Sequence, residues 1–327
     1  MLIPKRLDRL LGITARLVLV FAMIGCAEPA PQPRPGLHVV EEEVSSGELY
    51  GAHISAGTDS PLVLIIPGSG PTDRDGNGPN RLNTNAYKLL AEGLFDVGIS
   101  TVRVDKYGMF ASANAGDANA VSVAHYASDY RAWIETLLND DPRSCIYLLG
   151  HSEGGVMAMA AAIDRNDICG LVLLATPGRP LDQVLAEQLR ANPANAPILD
   201  DALEAIALLK RGENVDTSGL HPVLQQLFHA DVQGFIMSMM SHDPPQLLQQ
   251  ADLPALVVHG GTDLQVSEED ARILASVDQA ELVIIPSMNH VLKDASDIRA
   301  LNVMTYSNPN LPLSKGLVSA IASFVFN

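Results

Sequence analysis

The chain of 327 residues is 47% hydrophobic and 18% charged, enough to bury one large core, so a single large domain with a decoration is expected. Its formal charge is −17, and the first 25 residues hold Lys5, Arg6, Arg9 and Arg16 against Asp8, which leaves 17 basic and 37 acidic groups, or −20, in residues 26–327. A field of that sign repels nucleic acid and anionic membrane surfaces, and the same excess serves solubility in exported proteins without selecting a substrate.

In chain order, a basic region through Arg16 is followed by the apolar run 17–25 and then Cys26. This is the pattern of a signal peptide over 1–25. The run is about half of the roughly 20 residues a helix needs to cross a bilayer, and Pro29, Pro31, Pro33 and Pro35 follow at once, so no transmembrane anchor is expected. Met23-Ile24-Gly25-Cys26 resembles the lipobox of bacterial lipoproteins. That resemblance implies cleavage before Cys26, attachment of lipid there, and a membrane-anchored protein facing the periplasm or the cell surface. Two or more acyl chains make a stable anchor where one does not; the alternative is plain secretion after cleavage near Ala27. Residues 26–36 then form the lipid-attachment site and a Pro-rich tether, and the folded domain runs over 37–327.

From there 38–44 and 49–56 alternate like an antiparallel pair turning at Ser45-Ser46-Gly47. Short, nearly uninterrupted apolar runs follow at 62–66, 99–104, 146–149, 171–175, 255–259 and 282–285, the appearance of strands buried on both faces. Helix-length stretches lie between and after them at 85–96, 122–138, 152–164, 267–276 and 313–326. Strand and helix alternate, which predicts an α/β fold, a mostly parallel twisted sheet wrapped by helices on both faces. The segment 181–252 lacks a convincing strand and shows helical patterning at 181–190 and 200–210, so it is predicted to be a helical cap, about 180–252, inserted between two sheet strands. Its Met237-Ser238-Met239-Met240 cluster reads as ordinary core, with an acyl-pocket lining as the alternative.

Cys145 and Cys169 each precede a predicted strand, 146–149 and 171–175, and adjacent parallel strands would bring them to the same end of the sheet, about one interstrand spacing apart. In an oxidising compartment this allows a disulfide; two separate buried thiols are the other reading.

Gly150-His151-Ser152-Glu153-Gly154-Gly155 follows one predicted strand and opens a helix. Gly-x-Ser-x-Gly in a strand-turn-helix context presents a serine on a strained turn, with side-chain-free neighbours two residues away on either side. A serine hydroxyl needs a base, and His290 stands in the short loop after run 282–285, near the C-terminus. His151, as the variable residue of the turn, is expected to point away from Ser152. The imidazole needs an acid, and Gly260-Gly261-Thr262-Asp263 presents one just beyond run 255–259; Asp252 and Asp270 lack that position. All three predicted groups follow the C-terminal ends of strands, where open parallel sheets bind ligands. Two preorganised N–H donors are expected for the oxyanion: Glu153, directly after the serine, and Ser69, with Gly70 second, in the loop after run 62–66.

That loop, Gly68-Ser69-Gly70-Pro71-Thr72-Asp73-Arg74-Asp75-Gly76-Asn77, together with Asp105-Lys106-Tyr107-Gly108 and Gly-His-Ser-Glu-Gly-Gly, resembles a group of bacterial esterases related to the serine aminopeptidase-like branch of α/β-hydrolases. The likeness spans about 62–292. It implies an α/β-hydrolase fold and hydrolysis of short to medium carboxylic esters, with a small-molecule acyl ester as partner and no metal or organic cofactor. Tyr107 stands where that group often has Arg. Asp73, Arg74 and Asp75 are expected to order the oxyanion loop by ion pairing. An acyltransferase, thioesterase or peptidase would use the same acyl-enzyme. A tethered binding protein would show a broken triad or loop, and neither is seen.

Overall fold

The structure, a computed structural model, describes residues 39–79, 81–140 and 143–327. The predicted signal peptide, Cys26 and the tether lie outside the described residues. Among the described residues there are eight strands: β1 (Glu41–Ser46), β2 (Leu49–Ile54), β3 (Leu62–Ile66), β4 (Ser100–Val104), β5 (Ile146–His151), β6 (Ile168–Leu174), β7 (Ala255–Gly260) and β8 (Ala280–Ile285). They form one sheet in the order β1-β2-β4-β3-β5-β6-β7-β8. β1 and β2 add antiparallel at one edge, and every pairing from β4 through β3 to β8 is parallel. The edge hairpin turns one residue later than its sequence suggests. Ser45 and Ser46 stay in β1, and Gly47 takes the positive φ of 61° that the tight turn demands, a conformation glycine adopts without a Cβ penalty.

The period of two along each parallel strand divides the core. Leu62, Leu64 and Ile66 face the helices Val123–Asp140, Glu153–Ala162 and Pro244–Ala251, whereas Val63 and Ile65 face Ala86–Asp96 and Leu317–Phe326. Both faces are therefore covered, which is why these strands read as continuous apolar runs. Each such side chain contributes about 1.5–3 kcal/mol on full burial.

The segment predicted as a cap contains helices joined by loops and no strand. Leu181–Ala191, Leu199–Lys210, Pro222–Leu227 and Ala230–Met240 enclose a core of their own around Ala202, Leu209, Leu224 and Phe228. The fifth helix, Pro244–Ala251, departs from that expectation: its Leu247, Leu248 and Ala251 pack into the main core. Met239 joins the main core and Met240 the helical one. Cys145 and Cys169 are joined by a disulfide, with their Cα atoms 5.3 Å apart, tying the start of β5 to β6.

Candidate active site

The chain reverses direction across the sheet between β3 and β5: β3 has β4 on one side and β5 on the other. The crevice beyond the carboxyl ends of such strands is where open parallel sheets place ligands. Ser152 stands there, between β5 and the helix Glu153–Ala162, with φ 54° and ψ −123°. That conformation costs an L-residue about 1–3 kcal/mol, and close packing enforces it. A Cβ on Gly150 would lie 2.3 Å from the Gly154 carbonyl oxygen, and one on Gly154 would lie 2.4 Å from that of Ile66. Ser152 N–H donates to Leu174 O at 2.8 Å, so the turn is pinned from the neighbouring strand.

Asp263 follows β7 and His290 follows β8. His290 Nδ1 lies 2.8 Å from Asp263 Oδ2, and both side chains are buried. A carboxylate only accepts, so Nδ1 carries the proton and Nε2 keeps its lone pair. Burial by itself would raise the Asp263 carboxyl, but the neighbouring His290 with its hydrogen bond, nearby His259 and the Gln265 N–H leave it below the ordinary carboxylate value. Gln265 N–H and Val266 N–H reach Asp263 Oδ1 at 2.7 and 3.0 Å. The two carboxylates passed over in the sequence are engaged elsewhere. Asp270 completes a capping box with Ser267 and pairs with Arg179, and Asp252 closes the helix Pro244–Ala251.

Ser152, His290, Gly68 and Ser69 line one cleft of about 150 Å³, walled by Leu82, Thr84, Gln265, Leu292 and Tyr306. None of its lining residues comes from 181–252. Among the described residues no hydrogen bond joins Ser152 Oγ to the His290 ring; such contacts are often long before substrate arrives. The N–H groups of Ser69, Gly70 and Glu153 meet no acceptor among the described residues, as donors held for an incoming oxyanion would. A larger open groove of about 890 Å³ lies between the helices Leu181–Ala191 and Leu199–Lys210. It holds none of these groups, and its Arg179, Asp182, Glu187 and Lys210 are ion-paired.

The predicted oxyanion loop, 67–77, is anchored through its charges to β4 and to the residue that follows it. Arg74 meets the Asp105 carboxylate through its backbone N–H at 2.8 Å, Nε at 2.9 Å and Nη2 at 2.7 Å. Arg103, buried in β4, pairs with Asp75 and with Glu41. Asp73 Oδ1 takes the N–H groups of Asp75 and Asn77.

His151 corrects the sequence reading. Its ring lines the same cleft as Ser152 and lies 4.9 Å from the His290 ring, centroid to centroid. Nε2 is 2.8 Å from the His290 carbonyl oxygen, and Nδ1 is 2.7 Å from Tyr87 Oη. A carbonyl only accepts, so Nε2 carries the proton, Tyr87 donates to Nδ1, and Tyr87 Oη is left to accept Gly68 N–H at 3.1 Å. Burial, with help from neighbouring His290, pulls the His151 pKa down to about 3 and keeps the ring neutral. One hydrogen-bonded chain thus runs from the loop after β3 to the loop of the predicted base. No motif signals it, because its partners lie 64 and 139 residues from His151.

A parallel sheet with a serine on a strained turn after β5, and a carboxylate and imidazole after β7 and β8, defines the α/β-hydrolase class. The family model described as serine aminopeptidase, S33, matches residues 83–294, and the chain belongs to that family. The match includes Ser152, Asp263 and His290 and begins after the loop that follows β3. Esterase EstD of Thermotoga maritima is 28% identical over 240 residues, covering 71% of this chain and 54% of the relative; the chain spans about half the length of that protein. Among solved structures, Est1E of Butyrivibrio proteoclasticus with ferulic acid bound aligns with TM-score 0.50 and 19% identity over 81% of this chain and 96% of its own. Esterase Pf2001 of Pyrococcus furiosus aligns with TM-score 0.51 and 15% identity over 91% and 98%. Both share the fold.

Proposed function

We propose that this protein is a serine carboxylesterase in which Ser152 is the nucleophile, His290 the base and Asp263 its acid. The N–H groups of Ser69 and Glu153, with Gly70 beside them, take the oxyanion. The observation that carries this reading is the Asp263–His290 hydrogen bond at the rim of the cleft that also holds the strained Ser152. Ser152 Oγ attacks the ester carbonyl carbon as its proton passes to His290 Nε2. The tetrahedral intermediate expels the alkoxide, which leaves as an alcohol with that proton, and Ser152 stays acylated. Water then attacks, gives its proton to His290, and the carboxylic acid departs as Ser152 recovers its hydrogen. Asp263 holds the imidazole in the required tautomer throughout. The name of the Thermotoga relative favours an ester over an amide bond.

The cleft volume limits the acyl group. A cavity of about 150 Å³ accepts something the size of benzene, so acetyl to butyryl esters should turn over faster than octanoyl esters. Fluorophosphonate labelling and a series of p-nitrophenyl esters test both points. Labelling and turnover should vanish in Ser152→Ala, and kcat/KM should fall beyond butyryl. Labelling that survives the substitution would end the proposal. Export and lipid attachment at Cys26 rest on the sequence of the first 36 residues, and loss of incorporated palmitate in Cys26→Ser is the corresponding check.

A further inference from the structure

β4 is followed by Asp105-Lys106-Tyr107-Gly108. Asp105 anchors Arg74, but the hydrolysis outlined above gives Lys106 no task. Lys106 is 4% exposed, and an ammonium is costly to bury unless it is paired. Its Nζ donates to Gly68 O at 2.8 Å, lies 3.8 Å from Glu153 Oε1, and sits 6.0 Å from the centre of the Tyr126 ring. Burial lowers its pKa, and the charge of Glu153 works against that.

The identity of these partners is informative. Gly68 O belongs to the peptide unit whose N–H is that of Ser69, and Glu153 carries the other donor. In a trans peptide the carbonyl and the following N–H point in opposite directions, and this chain has no cis bonds among the described residues. Fixing Gly68 O on Nζ therefore points Ser69 N–H from the opposite edge of the same planar peptide unit, away from Lys106. Ser69 lines the cleft and its N–H has no acceptor among the described residues. Gly68 N–H is held in turn by Tyr87 Oη. The peptide units on both sides of Gly68 are thus pinned, one by a charged donor that also reaches the residue after Ser152.

We propose that Lys106 is a positioning residue of the oxyanion site: by gripping the Gly68 carbonyl and pairing with Glu153 it sets the N–H groups of Ser69 and Glu153 in one fixed relation. The inference rests on the serine-acyl reading above. A lysine that merely fills space would matter for stability and for the fraction of folded enzyme, but not selectively for the transition state. The role proposed here affects the charged oxygen more than substrate binding, because donors aimed at the oxyanion act where charge develops.

The test uses the full chain with Lys106→Met, Lys106→Gln and Glu153→Gln, the last of which retains the backbone N–H. Steady-state rates on p-nitrophenyl butyrate are expressed per site titrated with fluorophosphonate. Inhibition is compared between a trifluoromethyl ketone, which forms an oxyanionic adduct, and the matching secondary alcohol, which does not. Lys106→Met should lower kcat about 30- to 100-fold, change KM less than about 3-fold, and weaken the trifluoromethyl ketone in step with kcat/KM while the alcohol binds as before. Lys106→Gln, which keeps a donor for Gly68 O, should recover part of the loss, and Glu153→Gln should show a smaller fall in kcat. If Lys106→Met does not fold, the other two variants carry the test. Rates per titrated site within about 2-fold of the parent in all folding variants, or equal losses for ketone and alcohol, would overturn the role of Lys106. Retained labelling in Ser152→Ala, run alongside, would instead remove the serine-acyl reading itself.

Discussion

The two banks of the cleft are built by different means. On one bank, Ser152, Asp263 and His290 follow the ends of β5, β7 and β8 and are held by backbone geometry and apolar packing: a glycine-lined turn, strands buried on both faces, short loops. On the other, the loop 67–77 has almost no apolar hold. Side-chain charges and amides fix it to β4 and the neighbouring helix: Arg74 on Asp105, Asp75 on Arg103, and Asn77 on the N–H groups of Thr84 and Asn85. A nucleophile needs a single rigid conformation, which close packing supplies. The Ser69 and Gly70 N–H groups meet no acceptor among the described residues, so this loop is not packed on both sides, and ionic struts support it from behind.

Damage to the packed bank should be the more severe. Asp263→Asn keeps the shape of the acid but offers an amide that can stabilise the wrong imidazole tautomer, and kcat should drop about 10³- to 10⁴-fold. Unfolding temperature and fluorophosphonate titration check that the fold survives. A drop below about 10-fold would show that another group serves as the acid. On the ionic bank, Arg74→Met leaves the buried Asp105 carboxylate with backbone donors only. Breaking such a pair costs about 3 kcal/mol of stability, to be read from urea unfolding, and loosening of the loop should lower kcat about 10-fold while KM changes little. Equal stability in the variant would mean that the strut is ornamental.

The chain that joins the banks, Gly68–Tyr87–His151–His290, should give the smallest effect, and its signature is in pH dependence. The folded-state pKa of His151 is about 3, below the unfolded value of about 6.5. Between those values the unfolded chain binds a proton that the native ring refuses, so stability falls as the pH drops through this window, by up to about 1.4 kcal/mol per pH unit. His151→Gln keeps hydrogen-bonding capacity without titrating. Its stability should fall less steeply between pH 6 and pH 4, by up to one proton's worth of slope; parallel curves for parent and variant would mean that His151 is not held neutral.

The same contrast explains what the sequence disclosed. The packed bank writes itself in local patterns: uninterrupted apolar runs for β3 to β8, glycines two residues either side of Ser152, and single polar groups just beyond strands. Ser152, Asp263 and His290 could be chosen on those grounds, and the structure gathers His290 with Asp263 directly and with Ser152 in one cleft. The ionic bank has no such signature. Arg74 looks like any loop arginine until β4 brings Asp105 beside it, and Lys106 and Arg103 lie 38 and 28 residues from their partners Gly68 and Asp75. The orientation of His151 escapes local patterns for a related reason: it is set by Tyr87 and by the His290 carbonyl, neither of which periodicity can place. The helical segment shows the limit of pattern reading at a boundary. Pro244–Ala251 is amphipathic like its neighbours, and only tertiary packing, against the helices Glu153–Ala162 and Glu268–Leu274, decides that it joins the body.

The account stands on both banks meeting at one oxygen atom. A crystal structure of the Ser152 phosphonate adduct tests this most directly. The account predicts a phosphoryl oxygen about 2.7–3.1 Å from the backbone nitrogens of both Ser69 and Glu153, with His290 Nε2 facing the Ser152 oxygen. An adduct whose oxygen turns away from either nitrogen, into solvent or toward Tyr306, would contradict it.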